Sequence, residues 1–239
     1  MLLEASSLRR TFGGLVAVDD VSFGVGQGEI LGMVGANGSG KTTCLNMLTR
    51  LLPASGGAMR IDGRDYGRTP PHQLIRQGIA RTFQNLRLFK DLTVRENITL
   101  GCQARHRESE AALRRRVDAL IEMGDLQRQQ DLLPASLPYG TQRIVEIARA
   151  LAAEPRLVFL DEPFAGMSSE EARGICDLLL GLRRKTGMAL VIVDHNVEVL
   201  TGIAERLVAL AEGRLVAEGQ AAAVLSDPTV IRSYVGADV

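Results

Sequence analysis

The sequence predicts an α/β fold with a parallel sheet core, an antiparallel β subdomain on its N-terminal side and an inserted helical subdomain. Three observations predict it. An apolar strand runs through a glycine-rich loop into a helix between residues 29 and 52. Apolar segments at 156–161 and 189–193 alternate with helical periodicity, and the stretch from 85 to 153 reads as helix-rich. One domain is expected over 1–239, with the core at about 1–84 and 154–239 and the helical subdomain at about 85–153.

The first thirty residues read as two or three strands, broken by turns at Gly13-Gly14 and Gly26-Gln27-Gly28. A buried strand follows at 29–34, then a loop, then a helix at 41–52 that Pro53 stops. Residues 56–63 suggest another strand, 70–77 a short helix and 79–83 a strand ending at Gln84. In the helix-rich stretch Leu113, Val117, Leu120 and Ile121 recur at helical spacing, with Ser109 as N-cap and Gly124 past the end. The runs Arg114-Arg115-Arg116 and Arg183-Arg184-Lys185 read as solvated helix faces. A helix is expected over 168–186, because Ser168 and Glu171 have capping-box spacing and Ala172, Ile175, Cys176, Leu179 and Leu182 form a stripe. Residues 189–193 are apolar throughout and therefore central in a sheet covered on both faces.

The 28 basic and 28 acidic residues balance, and aromatic residues make up 4% with no tryptophan. The balance leaves no net field to attract a nucleic-acid backbone and the composition offers few stacking platforms, so no nucleic-acid partner is expected. Cys44, Cys102 and Cys176 are odd in number and widely spaced, which indicates neither a disulfide framework nor a zinc site and suits a reducing compartment. No apolar run is long enough for a membrane span and the first residues do not resemble a signal peptide, so a cytosolic location is expected.

The stretch Gly35-Ala36-Asn37-Gly38-Ser39-Gly40-Lys41-Thr42-Thr43 fits G-x-x-x-x-G-K-[ST] at every defined position. Its glycines let the backbone approach a triphosphate, its amides and the following helix N-terminus face the anion, and Lys41 and Thr42 supply an ammonium and a Mg²⁺-ligating hydroxyl. The loop alone leaves kinase, GTPase and ATPase open. Asp161-Glu162 at the end of an apolar strand adds two carboxylates whose side chains diverge, one suited to a metal and the other to a water in line with the γ-phosphate.

With Arg81-Thr82-Phe83-Gln84, Leu160-Asp161-Glu162-Pro163, Ala165-Gly166-Met167-Ser168 and Val193-Asp194-His195-Asn196 in order after the loop, the chain resembles the ATP-binding-cassette family along nearly its whole length. The resemblance implies a P-loop, RecA-like core and hydrolysis of ATP with Mg²⁺. It implies that Asp161 serves the metal through water, Glu162 is the general base, Gln84 touches metal and water and couples to a membrane partner, and His195 contacts the γ-phosphate. It places Phe12 as a stacking aromatic for adenine, a residue that by itself reads almost equally as core.

The family's signature, Leu-Ser-Gly-Gly-Gln, appears as Leu137-Pro138-Tyr139-Gly140-Thr141, and the resemblance implies that these residues bind the γ-phosphate held by a second ATPase chain. Pro138 has neither hydroxyl nor amide hydrogen, so one contact is missing; proline is expected at the first helical position, where it costs little. Ser168 stands where the family commonly has Asp. Arg81 to Phe89, Leu92 to Asn97, Tyr139-Gly140 and the ending from Asp227 to Gly236 further resemble ATPase subunits of branched-chain amino-acid uptake systems. This implies two membrane permease partners, a second ATPase chain of the same or a paralogous kind, an indirect periplasmic or extracellular solute-binding protein, and a position on the inner face of the membrane. Glu162 to Gly166 and Asp194 to Val197 also resemble the ATPase of lipopolysaccharide export, although Phe83-Gln84 and Pro138-Tyr139-Gly140 depart from it. A soluble cassette ATPase of DNA repair or translation is a third reading, from which this chain differs in having one cassette and no long coiled coil.

Overall fold

The computed structural model describes residues 1–103 and 109–235. Strands β1 (Leu3–Phe12) and β2 (Leu15–Val25) form an antiparallel hairpin that turns at Gly13 and Gly14, with Gly13 in left-handed backbone at φ 57°. After β3 (Ile30–Val34) and α1 (Lys41–Leu48), the strands β4 (Gly56–Ile61) and β5 (Arg64–Asp65) return to the hairpin and complete a four-stranded sheet, β2-β1-β4-β5. The second sheet contains β6 (Ile79–Arg81), β7 (Leu157–Asp161), β8 (Ala189–Val193), β9 (Arg206–Ala211) and β10 (Arg214–Gly219) beside β3. Its order is β10-β9-β3-β8-β7-β6, parallel except where β10 pairs with β9.

Between β6 and β7 the chain runs through α2 (Val94–Gln103), α3 (Glu110–Met123) and α4 (Tyr139–Leu151). Then α5 (Ser169–Thr186) connects β7 to β8, α6 (Val197–Ile203) leads to β9, and α7 (Ala221–Leu225) and α8 (Pro228–Val235) follow β10. Every residue of β3, β7 and β8 is buried, because the sheet is covered on both faces. Leu157, Phe159, Val191 and Val193 pack with α1 and the antiparallel sheet. Val158, Leu160, Leu190 and Ile192 face Ile175 and Leu179 of α5 and the core that α2 and α4 share. This period-two division between two cores holds one edge of the sheet fixed, and the loops leaving β3, β6, β7 and β8 emerge there.

Helix α1 ends at Leu48, four residues before the sequence expectation. The Thr49 hydroxyl donates to the Leu45 carbonyl at 2.7 Å, Arg50 turns left-handed at φ 58°, and the Tyr66 hydroxyl donates to the freed Leu48 carbonyl at 3.1 Å. Residues 71–77 form 3-10 turns rather than an α-helix, and β6 is shorter than the 79–83 segment expected. Helix α3 is capped as expected, by Ser109, whose hydroxyl accepts from the Ala112 amide, and by Gly124 at its C-terminal end. The capping box of α5 is complete: Ser168 Oγ accepts from the Glu171 amide, and the Glu171 carboxylate accepts from the Ser168 amide at 2.9 Å. Two arginines of the runs expected to be solvated are tied down. Arg116 donates to the Ala152 carbonyl and pairs with Glu154, and Arg183 donates to the Gly28 carbonyl and pairs with Glu205. Their long apolar stems reach neighbouring elements, which a helix-face count does not reveal. Gly236 lies outside the described residues.

Candidate active site

The loop between β3 and α1 is held by backbone that only glycine supplies. Gly35, Gly38 and Gly40 have φ of 147°, 79° and 101°. A Cβ at Gly35 would lie 2.2 Å from the Leu210 carbonyl oxygen, and one at Gly40 would lie 2.7 Å from that of Ala17. The Gly213 amide donates to Ser39 O, and the Gly35 amide donates to the Tyr234 hydroxyl of α8 at 2.8 Å, so the loop is buttressed from two later segments. Asn37 and Gly38 are exposed and Ser39 is buried. Lys41 is almost buried and donates to the carbonyls of Gly35 at 2.7 Å and Ala36 at 2.9 Å. Burial lowers its pKa, and the nearby charges of Glu162 and Asp161 act in the opposite sense. Thr42 and Thr43 lie in the first turn of α1, where the amides of a helix start lack intrahelical partners.

Asp161 and Glu162 diverge. Asp161 ends β7 and its Oδ2 accepts from Arg81 Nη2 at 2.7 Å, with both side chains almost fully buried. Burial raises the Asp161 carboxyl pKa, and the hydrogen bond and charge of Arg81 oppose that rise. Glu162 takes left-handed backbone, φ 46°, while its amide donates to the Val193 carbonyl. This turn sends its side chain away from Asp161. Glu162 Oε2 accepts from Gln84 Nε2 at 2.8 Å and lies 4.0 Å from His195 Nδ1. His195 is itself exposed, directly beyond β8. The structure thus brings Lys41, Gln84, Asp161, Glu162 and His195 to one edge of the sheet.

Of Pro138, Tyr139, Gly140 and Thr141, only Tyr139 is linked to that edge among the described residues, through Arg143, which donates both to its hydroxyl and to the Gln84 carbonyl. Pro138 to Thr141 start α4, where a Cβ at Gly140 would come 2.7 Å from Glu171 Oε1, next to the 165–168 segment. Pro138 is the N-cap rather than the first helical residue expected: its backbone is extended, at φ −56° and ψ 152°, while its carbonyl already accepts from the Gln142 amide. Phe12 ends β1 and is exposed, with the Arg10 guanidinium 4.6 Å from its ring centre. It is not a core aromatic.

The donor set fits the groups the loop implies. The glycine cradle and the helix start suit a triphosphate, and Thr42, Asp161 and the Gln84 amide oxygen are hard oxygen donors of the kind Mg²⁺ takes alongside phosphates. A family model described as "ABC transporter" matches residues 18–165. The chain belongs to the ABC transporter family.

This ABC ATPase is 34% identical to the high-affinity branched-chain amino acid transport ATP-binding protein BraF of Pseudomonas aeruginosa, with 98% of each chain covered. It is 36% identical to the lipopolysaccharide export system ATP-binding protein LptB of Escherichia coli K12, covering 99% of this chain and 98% of that one. Among solved structures it is similar to the ADP conformation of MJ1267, an ATP-binding cassette of an ABC transporter (TM-score 0.88, 30% identity, 98% of each chain). It is also similar to a dimeric post-hydrolysis state of the cassette MJ0796 bound to ADP and Pi (TM-score 0.83, 27% identity, 92% of this chain and 99% of that one).

Several residues of this ABC cassette escape sequence reasoning. Arg143 of α4 is fully buried and donates to the carbonyls of Phe83 and Gln84, to Glu146 Oε2 and to the Tyr139 hydroxyl. Glu146, also buried, accepts from the Arg87 amide; burial raises its pKa and the charge of Arg143 opposes the rise. Buried Asn97 donates to the carbonyls of Phe89, Leu92 and Thr93 and accepts from the Phe89 amide, which fixes the loop before α2. Asp194 accepts from the amides of Phe164 and Asn196 and orders the two turns around His195. The available signal was a charge on an otherwise apolar helix face, as with Arg143 and Glu146 among Val145, Ile147 and Ala148.

Proposed function

We propose that this ABC ATPase powers uptake of a small solute, a branched-chain amino acid or a related polar or aromatic compound, from the inner face of the membrane. Two chains face each other head to tail, each site joining the loop and carboxylates of one to Pro138–Thr141 of the other. Lys41 and the loop amides hold the phosphates. Thr42, Gln84 and Asp161 would hold Mg²⁺ directly or through water, and the ion would supply charge neutralisation for phosphoryl transfer. Glu162 accepts the proton of the attacking water, Gln84 releases Glu162 to do so, and His195 steadies the γ-phosphate. Phe12 stacks on adenine. The inserted lobe, about 85–153, carries the residues that complete the partner's site.

The divergence of Asp161 and Glu162 carries this mechanism: one carboxylate is held by Arg81, and the other is free to exchange an amide partner for water. Glu162→Gln is expected to keep ATP binding, stop turnover and accumulate an ATP-bound dimer by size-exclusion chromatography. Normal hydrolysis in that variant would refute the base assignment.

The permeases dock at the cleft of about 400 Å³ lined by Leu51, Ile75, Ala80, Phe83, Arg149 and Ala153, beside exposed Phe89. Its apolar floor suits a helix end presented by a membrane subunit. Phe89→Cys should crosslink to two permeases encoded with a solute-binding protein. The 36% identity to LptB supports a second reading, in which the same cysteine crosslinks to lipopolysaccharide permeases. Absence of any crosslink to a membrane protein would remove both transport readings.

A further inference from the structure

Arg81 is tied into the core by four hydrogen bonds. From β6 its Nη1 donates to Asn46 Oδ1 and Thr49 Oγ1, both at 2.7 Å, its Nη2 donates to Asp161 Oδ2, and its Nε reaches the Thr82 carbonyl at 3.3 Å. The guanidinium also lies 5.0 Å from the ring centre of Phe83. It therefore joins three pieces of the site: α1, which leaves the phosphate loop, β7, which ends in the metal-side carboxylate, and the segment leading to Gln84. Among the described residues no donor reaches the other carboxylate oxygen, Asp161 Oδ1. A planar fork anchored by Nη1 on Asn46 of α1 and on Thr49 at its C-cap can hold one carboxylate oxygen with Nη2 in a fixed direction, whereas the single nitrogen of a lysine cannot span both positions.

We propose that Arg81 is a positioning residue for Mg²⁺: it clamps Asp161 by Oδ2, presents Oδ1 to the metal side, and keeps Gln84 in register with that carboxylate. The inference rests on the reading of Asp161 as the metal-side carboxylate. Arg81 lies outside the contacts expected for substrate, so its effect should appear in the metal dependence of binding before it appears in phosphate affinity.

The test is the affinity of a fluorescent ATP analogue with and without Mg²⁺, measured on the full chain. Arg81→Lys is expected to leave metal-free affinity within about twofold and to cut the enhancement by Mg²⁺ about tenfold, the size of one lost charge-assisted hydrogen bond. In the Asp161→Asn background, Arg81→Lys should cause no further loss. An unchanged Mg²⁺ enhancement in folded Arg81→Lys overturns the proposal, as does an equal loss with and without Mg²⁺, which would place the effect on α1. If Asp161→Asn alone preserves the enhancement, the assignment of Asp161 fails and the proposal with it. If Asp161→Asn abolishes the enhancement and Arg81→Lys does not change it, only the proposal fails. Should Arg81→Lys not fold, Asn46→Ala removes one anchor and is expected to reduce the enhancement by about two- to threefold; no reduction there counts against the clamp.

Discussion

Arg143 Nη2 donates to the main-chain carbonyl of Gln84 at 2.8 Å, so a residue of α4 holds the backbone of the residue that bonds Glu162. The same guanidinium reaches the Phe83 carbonyl at 2.7 Å and the Tyr139 hydroxyl at 3.0 Å. These contacts tie the start of α4 to the Gln84 segment. Arg143→Met strips Glu146 of its cation inside the core and should cost roughly 3–5 kcal/mol in urea unfolding. Arg143→Met with Glu146→Leu should regain most of that stability and still lose ATPase activity, because the two carbonyls have lost their clamp. Recovery of activity together with stability would show that the pair is only structural.

Pro138 caps α4 without a side-chain hydrogen bond. Serine there would supply a hydroxyl for the helix amides and, in the proposed dimer, for phosphate. Pro138→Ser is expected to stabilise the chain by about 0.5–1 kcal/mol in thermal unfolding. It should also strengthen ATP-driven closure by about tenfold or more. Unchanged ATPase activity would sink the idea that the proline weakens closure.

The Glu171 carboxylate accepts from both the amide and the hydroxyl of Ser168, and these bonds hold its pKa below the ordinary carboxylate value. A depressed folded-state pKa gives stability that is present above the unfolded pKa and is lost as pH falls through the depressed value. The melting temperature of Glu171→Gln should lie below that of the parent at pH 7, and the gap should close below about pH 4. A gap that persists at pH 2 would show that the charge plays no part in the cap.

Tyr234→Phe removes the acceptor of the buried Gly35 amide. The unpaired N–H should cost about 1–3 kcal/mol. Nucleotide affinity should fall with it, and hydrogen exchange at Gly35 should accelerate. Unchanged exchange at that amide would mean that the hydroxyl does not hold the loop.

The phosphate loop, the paired carboxylates and the α5 capping box were legible because each is a local pattern: every group that defines it lies within a few residues of the next. The central strands were legible from their apolar runs. What the sequence did not reveal are contacts made across the fold. Arg81 and Asp161 are 80 residues apart, Arg143 and Phe83 are 60 apart, and Gly35 and Tyr234 are 199 apart. The early end of α1 belongs to the same class, since the Leu48 carbonyl is taken by Tyr66, which follows β5. Pro138 was misplaced by one position because its φ suits either the cap or the first turn, and only ψ separates them.

The Gly35–Tyr234 hydrogen bond joins the first glycine of the loop to a residue made 199 positions later. A ribosome releases the phosphate loop early, and its strut arrives with α8, after both sheets are already available to fold. A nascent chain would therefore hold a loop that resembles the finished one but lacks the bond at its first glycine. The loop's support from Tyr234 therefore waits on synthesis of α8.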